Sequence, residues 1–97
     1  MVKPTPENIV KRQIKDYLWI KGWFNFPLLQ SLGSYPGAPD RIAIKDGRVL
    51  FLEIKSPTGK QSPYQKRFEK YITQFGGEYL LARCVEDVMN VIEGGCP

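Results

Sequence analysis

The chain has 97 residues, of which 42% are hydrophobic and 25% are charged, a balance typical of a small folded domain rather than a disordered polypeptide. Fourteen Lys and Arg residues against ten Asp and Glu residues give a net charge of +4, which permits a polyanionic partner without requiring one. Histidine is absent, which excludes Ser-His-Asp and Cys-His catalysis and histidine-based zinc sites, so any chemistry must use carboxylates, lysines or hydroxyls.

The first third of the chain predicts a helix followed by an edge strand. Thr5-Pro6-Glu7 places a hydroxyl at a helix cap, proline at the first helical position and an acid near the positive helix end, so we predict a helix over about residues 6–21. Residues 23–32 are rich in aromatic and aliphatic side chains, but Pro27 lacks the amide that a central strand needs, so we predict an irregular or edge strand. Four aromatic side chains are expected in the core: Trp19, Trp23, Phe24 and Phe26.

A glycine- and proline-rich loop over residues 33–39 leads into a predicted hairpin over residues 40–55. Asp46-Gly47 separates its two apolar runs and is the strongest short signal for a two-residue hairpin turn. If Lys45 faces Arg48, paired residue numbers sum to 93, which places Asp40 directly opposite Glu53. The Cβ atoms of such a pair lie about 5 Å apart on one face of the sheet, where two like charges are destabilising unless a positive charge lies between them.

The second half of the chain predicts a helix, a strand and a short helix. Ser62-Pro-Tyr-Gln65 matches a capping box, and Gly76-Gly77 can end the helix that this box starts. Residues 78–83 read as a short strand, and apolar residues at helical spacing over 85–92 predict a terminal helix. The predicted order is therefore helix, three strands, helix, strand, helix, in one domain over residues 1–97.

Asp40 and Glu53 offer the hard oxygen ligands that suit Mg²⁺ or Mn²⁺, and the carbonyl of Ile54 could complete the protein's share of such a site. Lys55 projects to the same face as Glu53, where its ammonium group could orient water or offset phosphate charge. The set fits phosphodiester hydrolysis. In the competing interpretation Asp40 caps a turn, while Glu53 and Lys55 pair with solvent or with each other. Because Glu53 follows an apolar run in a strand that is prone to burial, it needs a partner, which favours the metal site.

Three segments together resemble the PD-(D/E)XK nuclease superfamily and, within it, the virus-type replication-repair nuclease (VRR-NUC) family. They are Gly37-Ala-Pro-Asp40, Phe51-Leu-Glu53-Ile-Lys55 and Gly59-Lys60-Gln-Ser-Pro63-Tyr-Gln65. With Glu7 on the first helix and the order of elements, the resemblance covers nearly the whole chain. It implies an α/β fold with a restriction-endonuclease-like core, in which helices flank a small mixed sheet, and divalent-metal-dependent cleavage of DNA.

Carried over residue by residue, the resemblance makes Asp40 and Glu53 metal ligands and Lys55 the catalytic lysine. Glu7 matches a first-helix glutamate that supports the metal site, often through water, and Gln65 matches a glutamine that lines the active site. Each of the last two has a competing explanation. Glu7 also suits the helix dipole, and Gln65 also closes its capping box.

Basic residues cluster around both long helices, where they could neutralise phosphates without reading sequence. A solvated helix face is the alternative explanation. The candidates for nucleic-acid contacts are Lys60, Lys66 and Arg67 near helix two, and Lys11 and Arg12 on helix one.

The combined expectation is a Mg²⁺- or Mn²⁺-dependent DNA endonuclease, selective for Holliday junctions or other branched DNA. The resemblance implies a symmetric homodimer with two active sites. The alternatives are a nucleic-acid-binding module without catalysis, a nuclease subunit within a larger complex, and a restriction-type enzyme. No apolar run approaches the roughly 20 residues of a membrane helix and no secretory signal is evident, so we expect a cytoplasmic protein of bacterial origin, or a viral one in its host.

Overall fold

The computed structural model of the chain describes residues 6–29 and 33–94. Within these residues the chain order is α-β-β-β-α-β-α, which confirms the order predicted from the sequence. The helices and strands are α1 (Pro6–Ile20), β1 (Phe24–Pro27), β2 (Arg41–Lys45), β3 (Arg48–Ile54), α2 (Pro63–Gln74), β4 (Glu78–Ala82) and α3 (Val85–Ile92). The predicted edge strand is shorter than residues 23–32, and residues 30–32 of that prediction lie outside the described part of the chain.

The four strands form one mixed sheet in the order β1-β2-β3-β4, with antiparallel pairing up to β3 and a parallel β3–β4 pair. Asp46 (φ 50°) and Gly47 (φ 82°) both have positive φ, as a two-residue hairpin turn that matches the sheet twist requires. Lys45 pairs with Arg48, and the same register continues to Arg41 and Leu52. The predicted hairpin and its register are confirmed, as is the α/β fold class with a small mixed sheet.

Helices pack on both faces of the sheet, α1 and α3 on one face and α2 on the other. Leu50, Leu52 and Ile54 of β3 point into a core with side chains of α1 and α3, such as Leu18 and Val88. The opposite face of β3 meets α2, where the rings of Phe51 and Phe68 lie 6.1 Å apart. Since β3 is buried on both faces near its end, Glu53 lies in the interior although it carries a charge.

The expectation that four aromatic side chains lie in the core was wrong for two of them. Trp23 is buried and Phe26 half-buried, but Trp19 and Phe24 are 52% and 55% exposed and contact each other edge to face. The pleat of β1 turns Asn25 inward, and with it Phe24 outward. Among the described residues α2 packs against β4, at the far side of the sheet from β1, and so leaves this face of β1 uncovered.

No helix within residues 6–29 and 33–94 reaches the length and apolarity that crossing a membrane requires.

Candidate metal-dependent active site

Asp40 is held at the start of β2 by backbone hydrogen bonds to both neighbouring chain segments. Its amide donates to the carbonyl of Leu52 (2.9 Å), and its carbonyl accepts from the amide of Leu28 (2.9 Å). One side-chain oxygen, Oδ2, accepts a hydrogen bond from the amide of Ile54 (2.7 Å). The carboxylate therefore lies across the end of β3, beside Glu53.

Glu53 is the most unusual side chain of the site because it is a carboxylate that is only 2% exposed. Its Oε2 atom accepts a hydrogen bond from Gln65 Nε2 (3.1 Å), whereas Oε1 is buried and has no hydrogen-bond partner among the described residues. Burial, and secondly the adjacent carboxylate of Asp40, raise the pKa of Glu53 to about 8. An ionised Glu53 therefore lacks a positive charge at Oε1, which a bound cation would provide.

Lys55 lies on the same face as Glu53, as the alternation of the strand predicts. Its Nζ atom is 3.9 Å from Glu53 Oε2, at the long limit of an ion pair, and its side chain is 17% exposed. The competing interpretation, in which these two residues pair with each other, is thus partly realised. The contact involves Oε2 alone, however, and leaves Oε1 unpaired.

Gln65 performs both functions that the sequence offered as alternatives. Its side-chain oxygen accepts from the amide of Ser62 (2.8 Å), and its backbone amide donates to the hydroxyl of Ser62 (3.2 Å), which completes the capping box of α2. Its side-chain amide nitrogen simultaneously donates to Glu53. The start of α2 and the orientation of the buried carboxylate therefore depend on one side chain.

Glu7 approaches the carboxylate pair only through Lys11. The Lys11 Nζ atom is 3.1 Å from Glu7 Oε2 and 3.7 Å from Asp40 Oδ1. Within the described residues no three Asp, Glu, His or Cys side chains converge as a metal cluster, so Glu7 does not join the other two carboxylates directly. Lys11 was predicted as a nucleic-acid contact, and in the structure its ammonium group lies beside the Asp40 carboxylate. The i, i+4 spacing of Glu7 and Lys11 was the signal for their pairing.

Partial burial opposes the charged form of Lys11, but Glu7 and Asp40 outweigh it and raise the pKa of Lys11. The ammonium group is therefore charged at neutral pH.

Two contacts that the sequence did not reveal hold the loops on either side of the site. A Cβ atom at Gly37 would lie 2.2 Å from the carbonyl oxygen of Tyr64, so only glycine allows the loop before Asp40 to pack this closely on the start of α2. On the other side, Arg83 donates to the carbonyls of Ser56 (2.7 Å) and Gly59 (2.6 Å) in the loop that follows Lys55.

The remaining basic candidates lie on the surface. Arg12, Lys60, Lys66 and Arg67 are exposed, and the guanidinium group of Arg67 lies 5.6 Å from the ring centre of Tyr64. Lys66 and Arg67 follow Gln65 on α2 and are exposed to solvent.

The donor set fits a hard divalent cation. Asp40 and Glu53 supply adjacent carboxylates, and the buried Oε1 atom of Glu53 has no donor of its own. Ile54, whose carbonyl is the third predicted ligand, lines a pocket of about 160 Å³ together with Asp40 and Lys11. Glu53 is not among the residues that line this pocket, which also include Pro27, Leu28 and Arg41.

No family sequence model and no curated protein sequence matches the chain. Nine chains among the solved structures do. One, described as a VRR_NUC domain, superposes with a TM-score of 0.81 at 24% identity and covers 96% of this chain and 100% of its own. Another, described as a VRR_NUC domain protein, has a TM-score of 0.76 at 20% identity and covers 96% of this chain and 89% of its own. The chain has the VRR_NUC fold, which confirms the predicted resemblance at the level of the fold.

Proposed function

We propose that this chain is a VRR-NUC-type endonuclease that hydrolyses DNA phosphodiester bonds with Mg²⁺ or Mn²⁺. The nuclease-type fold supports the reaction class. The observation that carries the proposal is the buried Glu53, which lies beside Asp40 and has one oxygen without a hydrogen-bond partner among the described residues. Once ionised, Glu53 lacks a positive partner at this buried oxygen, and a bound cation would supply one.

Asp40, Glu53 and the carbonyl of Ile54 would hold the ion, with Glu7 acting on it indirectly. When bound, the ion supplies positive charge that polarises a phosphoryl oxygen and makes water a better nucleophile. Gln65 fixes Glu53 through its hydrogen bond and so orients the carboxylate. Lys55 presents its ammonium group beside this carboxylate, where it orients the attacking water and offsets the charge that develops on the phosphate.

The proposed substrate is branched DNA, such as a Holliday junction, and the proposed assembly is a homodimer of one 97-residue domain per copy. Two-fold symmetry would present two sites to the two strands of a branched substrate. Lys60, Lys66, Arg67 and Arg12 would contact phosphates. Such an enzyme would act on DNA in the cytoplasm of a bacterium or of a virus-infected cell. Sedimentation that shows only monomer at working concentration would contradict the proposed assembly.

The test is a cleavage assay with four-way junctions, flaps, nicked circles and linear duplexes, each in Mg²⁺, Mn²⁺ or EDTA. We expect cleavage of branched DNA with metal and none with EDTA. Asp40→Asn and Glu53→Gln should abolish cleavage, while Asp16→Asn, a change of an exposed α1 carboxylate that pairs with Lys15, should keep it. Circular dichroism verifies that each variant is folded.

Three results would contradict parts of this proposal. A folded Glu53→Gln variant that cuts at the wild-type rate would refute the site. Binding that weakens with salt, ignores EDTA and never leads to cleavage would favour a non-catalytic nucleic-acid-binding module. Cleavage that requires an added protein fraction would indicate a subunit of a larger nuclease.

A further inference from the structure

We propose that Lys11 is a built-in competitor of the metal ion, and that its ammonium group holds the free oxygen of Asp40 until a divalent cation displaces it. This inference rests on the proposed metal site. It assigns Lys11 a role distinct from the phosphate contact that the sequence predicted.

The oxygen atoms of Asp40 are not equivalent. Oδ2 is occupied by the backbone amide of Ile54 (2.7 Å), so Oδ1 is the oxygen that remains for a metal. Lys11 Nζ faces this same atom, at 3.7 Å. Because an ion such as Mg²⁺ binds oxygen at about 2.1 Å, an ion on Oδ1 would lie within a few ångströms of the ammonium group, and the two positive charges would repel strongly.

Lys55 does not compete in this way. It approaches Glu53 at Oε2, which Gln65 already contacts, and leaves the unsatisfied Oε1 open. Of the two lysines at the site, Lys11 is the one that faces an oxygen available to the ion.

Glu7 provides a position to which the displaced ammonium group can withdraw. Its Oε2 atom is closer to Lys11 Nζ (3.1 Å) than Asp40 Oδ1 is, and the side chains of Glu7 and Lys11 are 36% and 39% exposed, so both have room to move. Glu7 is therefore a positioning residue, which affects the metal by retaining Lys11 rather than by binding the ion.

The charges of the site agree with this exchange. With Glu53 deprotonated, as ion binding requires, the carboxylates of Glu7, Asp40 and Glu53 and the ammonium groups of Lys11 and Lys55 leave one net negative charge. A divalent ion changes this to one net positive charge, which complements the single negative charge of a phosphodiester. Lys11 thus neutralises part of the carboxylate charge when no metal is bound, and the metal-bound site carries a positive charge that attracts the phosphodiester.

The experiment compares Mn²⁺ binding by the wild type, Lys11→Met and Lys15→Met in the absence of DNA, by titration calorimetry and by the electron paramagnetic resonance signal of free Mn²⁺. Lys15 is the matched control because it lies one turn further along α1, is 46% exposed and pairs with Asp16 outside the site. We expect Lys11→Met to bind Mn²⁺ at least about fivefold more tightly than the wild type, and Lys15→Met to stay within about twofold.

Lys11→Arg, which keeps the charge, should bind close to the wild type, and Lys11→Gln provides a second charge-free variant if Lys11→Met folds poorly. Equal or weaker Mn²⁺ binding by both charge-free variants would overturn the inference, because that result is expected if Lys11 supports metal binding or has no effect on it. If the folded wild type binds no Mn²⁺, the metal site fails and the inference fails with it. If all variants bind equally well, only the role of Lys11 fails.

Discussion

Gln65 donates a hydrogen bond from its side-chain amide to the buried carboxylate of Glu53, over 3.1 Å, while its side-chain oxygen accepts from the amide of Ser62. A catalytic candidate on β3 is therefore oriented by the same side chain that starts α2. Because one side chain has both roles, replacing Gln65 alone would not show whether the start of α2 or the hydrogen bond to Glu53 is what matters.

Gln65→Ala and Ser62→Ala should differ in activity although they cost similar stability. Each removes half of the capping box, at about 1 kcal/mol, but only Gln65→Ala removes the donor to Glu53. Since a hydrogen bond to a charged group contributes about 1.5–3 kcal/mol, we expect metal-dependent cleavage to fall about tenfold or more in Gln65→Ala and to change little in Ser62→Ala. Urea denaturation and single-turnover cleavage measure the two effects. An equal loss of cleavage would show that the start of the helix matters rather than the amide.

The contribution of Glu53 to the stability of the metal-free chain should decrease as pH rises from about 4.5 to about 8. The pKa of Glu53 is raised to about 8 in the folded chain, above its ordinary value of 4.5. Between these two values the folded chain keeps a proton that the unfolded chain has lost, so the free energy of unfolding falls with pH by up to about 1.4 kcal/mol per unit.

Glu53→Gln is the control for this pH dependence because it removes the titrating group and keeps its size. The difference between the two unfolding free energies, measured in urea with EDTA at each pH, cancels the titration of all other groups. We expect the free energy of unfolding of the variant to rise steadily relative to that of the wild type as pH increases to about 8. Parallel curves for the two proteins would show that Glu53 does not retain its proton in the folded state.

Gly37→Ala should destabilise the chain more than Gly33→Ala. Both glycines have positive φ, 81° and 94°, so both substitutions cost about 1–2 kcal/mol of backbone strain. Of the two, only Gly37 would bring the new Cβ atom into collision with backbone, at 2.2 Å from the Tyr64 carbonyl oxygen, whereas no atom of the described residues lies within 4 Å of a Cβ at Gly33. We expect an additional loss of about 1–3 kcal/mol in urea denaturation, and weaker metal binding as the Asp40 loop moves. Equal losses would contradict the close packing of this loop on α2.

The surface of α2 near Gln65 should dominate the salt dependence of DNA binding. Removing Lys66 and Arg67 together should lower the slope of log affinity against log salt by about 1.8, because each lost phosphate contact contributes about 0.9. Lys21→Ala is the control, since Lys21 is exposed beyond the end of α1 and pairs with Glu93. Fluorescence anisotropy with a labelled junction in EDTA measures binding without cleavage. A slope unchanged by the double substitution would exclude this face as the phosphate contact.

Local chemistry was sufficient to predict the hairpin and the helix start that flank the candidate site. The turn at Asp46-Gly47 imposes one register on the hairpin, which runs from Lys45–Arg48 to Arg41–Leu52 and leaves Asp40 and Glu53 as the next residues of the two strands. The capping box at Ser62 likewise depends on residues within one helical turn. These features were predictable because the residues that determine them are neighbours in sequence.

Contacts between distant segments could not be predicted in this way. The position of Lys11 against Asp40 depends on how α1 packs through Ile14 and Leu18 onto the sheet, and the exposure of Phe24 depends on which part of the sheet α2 covers. The alternation of side chains along a strand shows which residues share a face, but the packing of helices decides whether that face is buried. The nearness of the two carboxylates was therefore predictable from the order of the residues. The position of the Lys11 ammonium group beside Asp40 was not, because it depends on how α1 packs on the sheet.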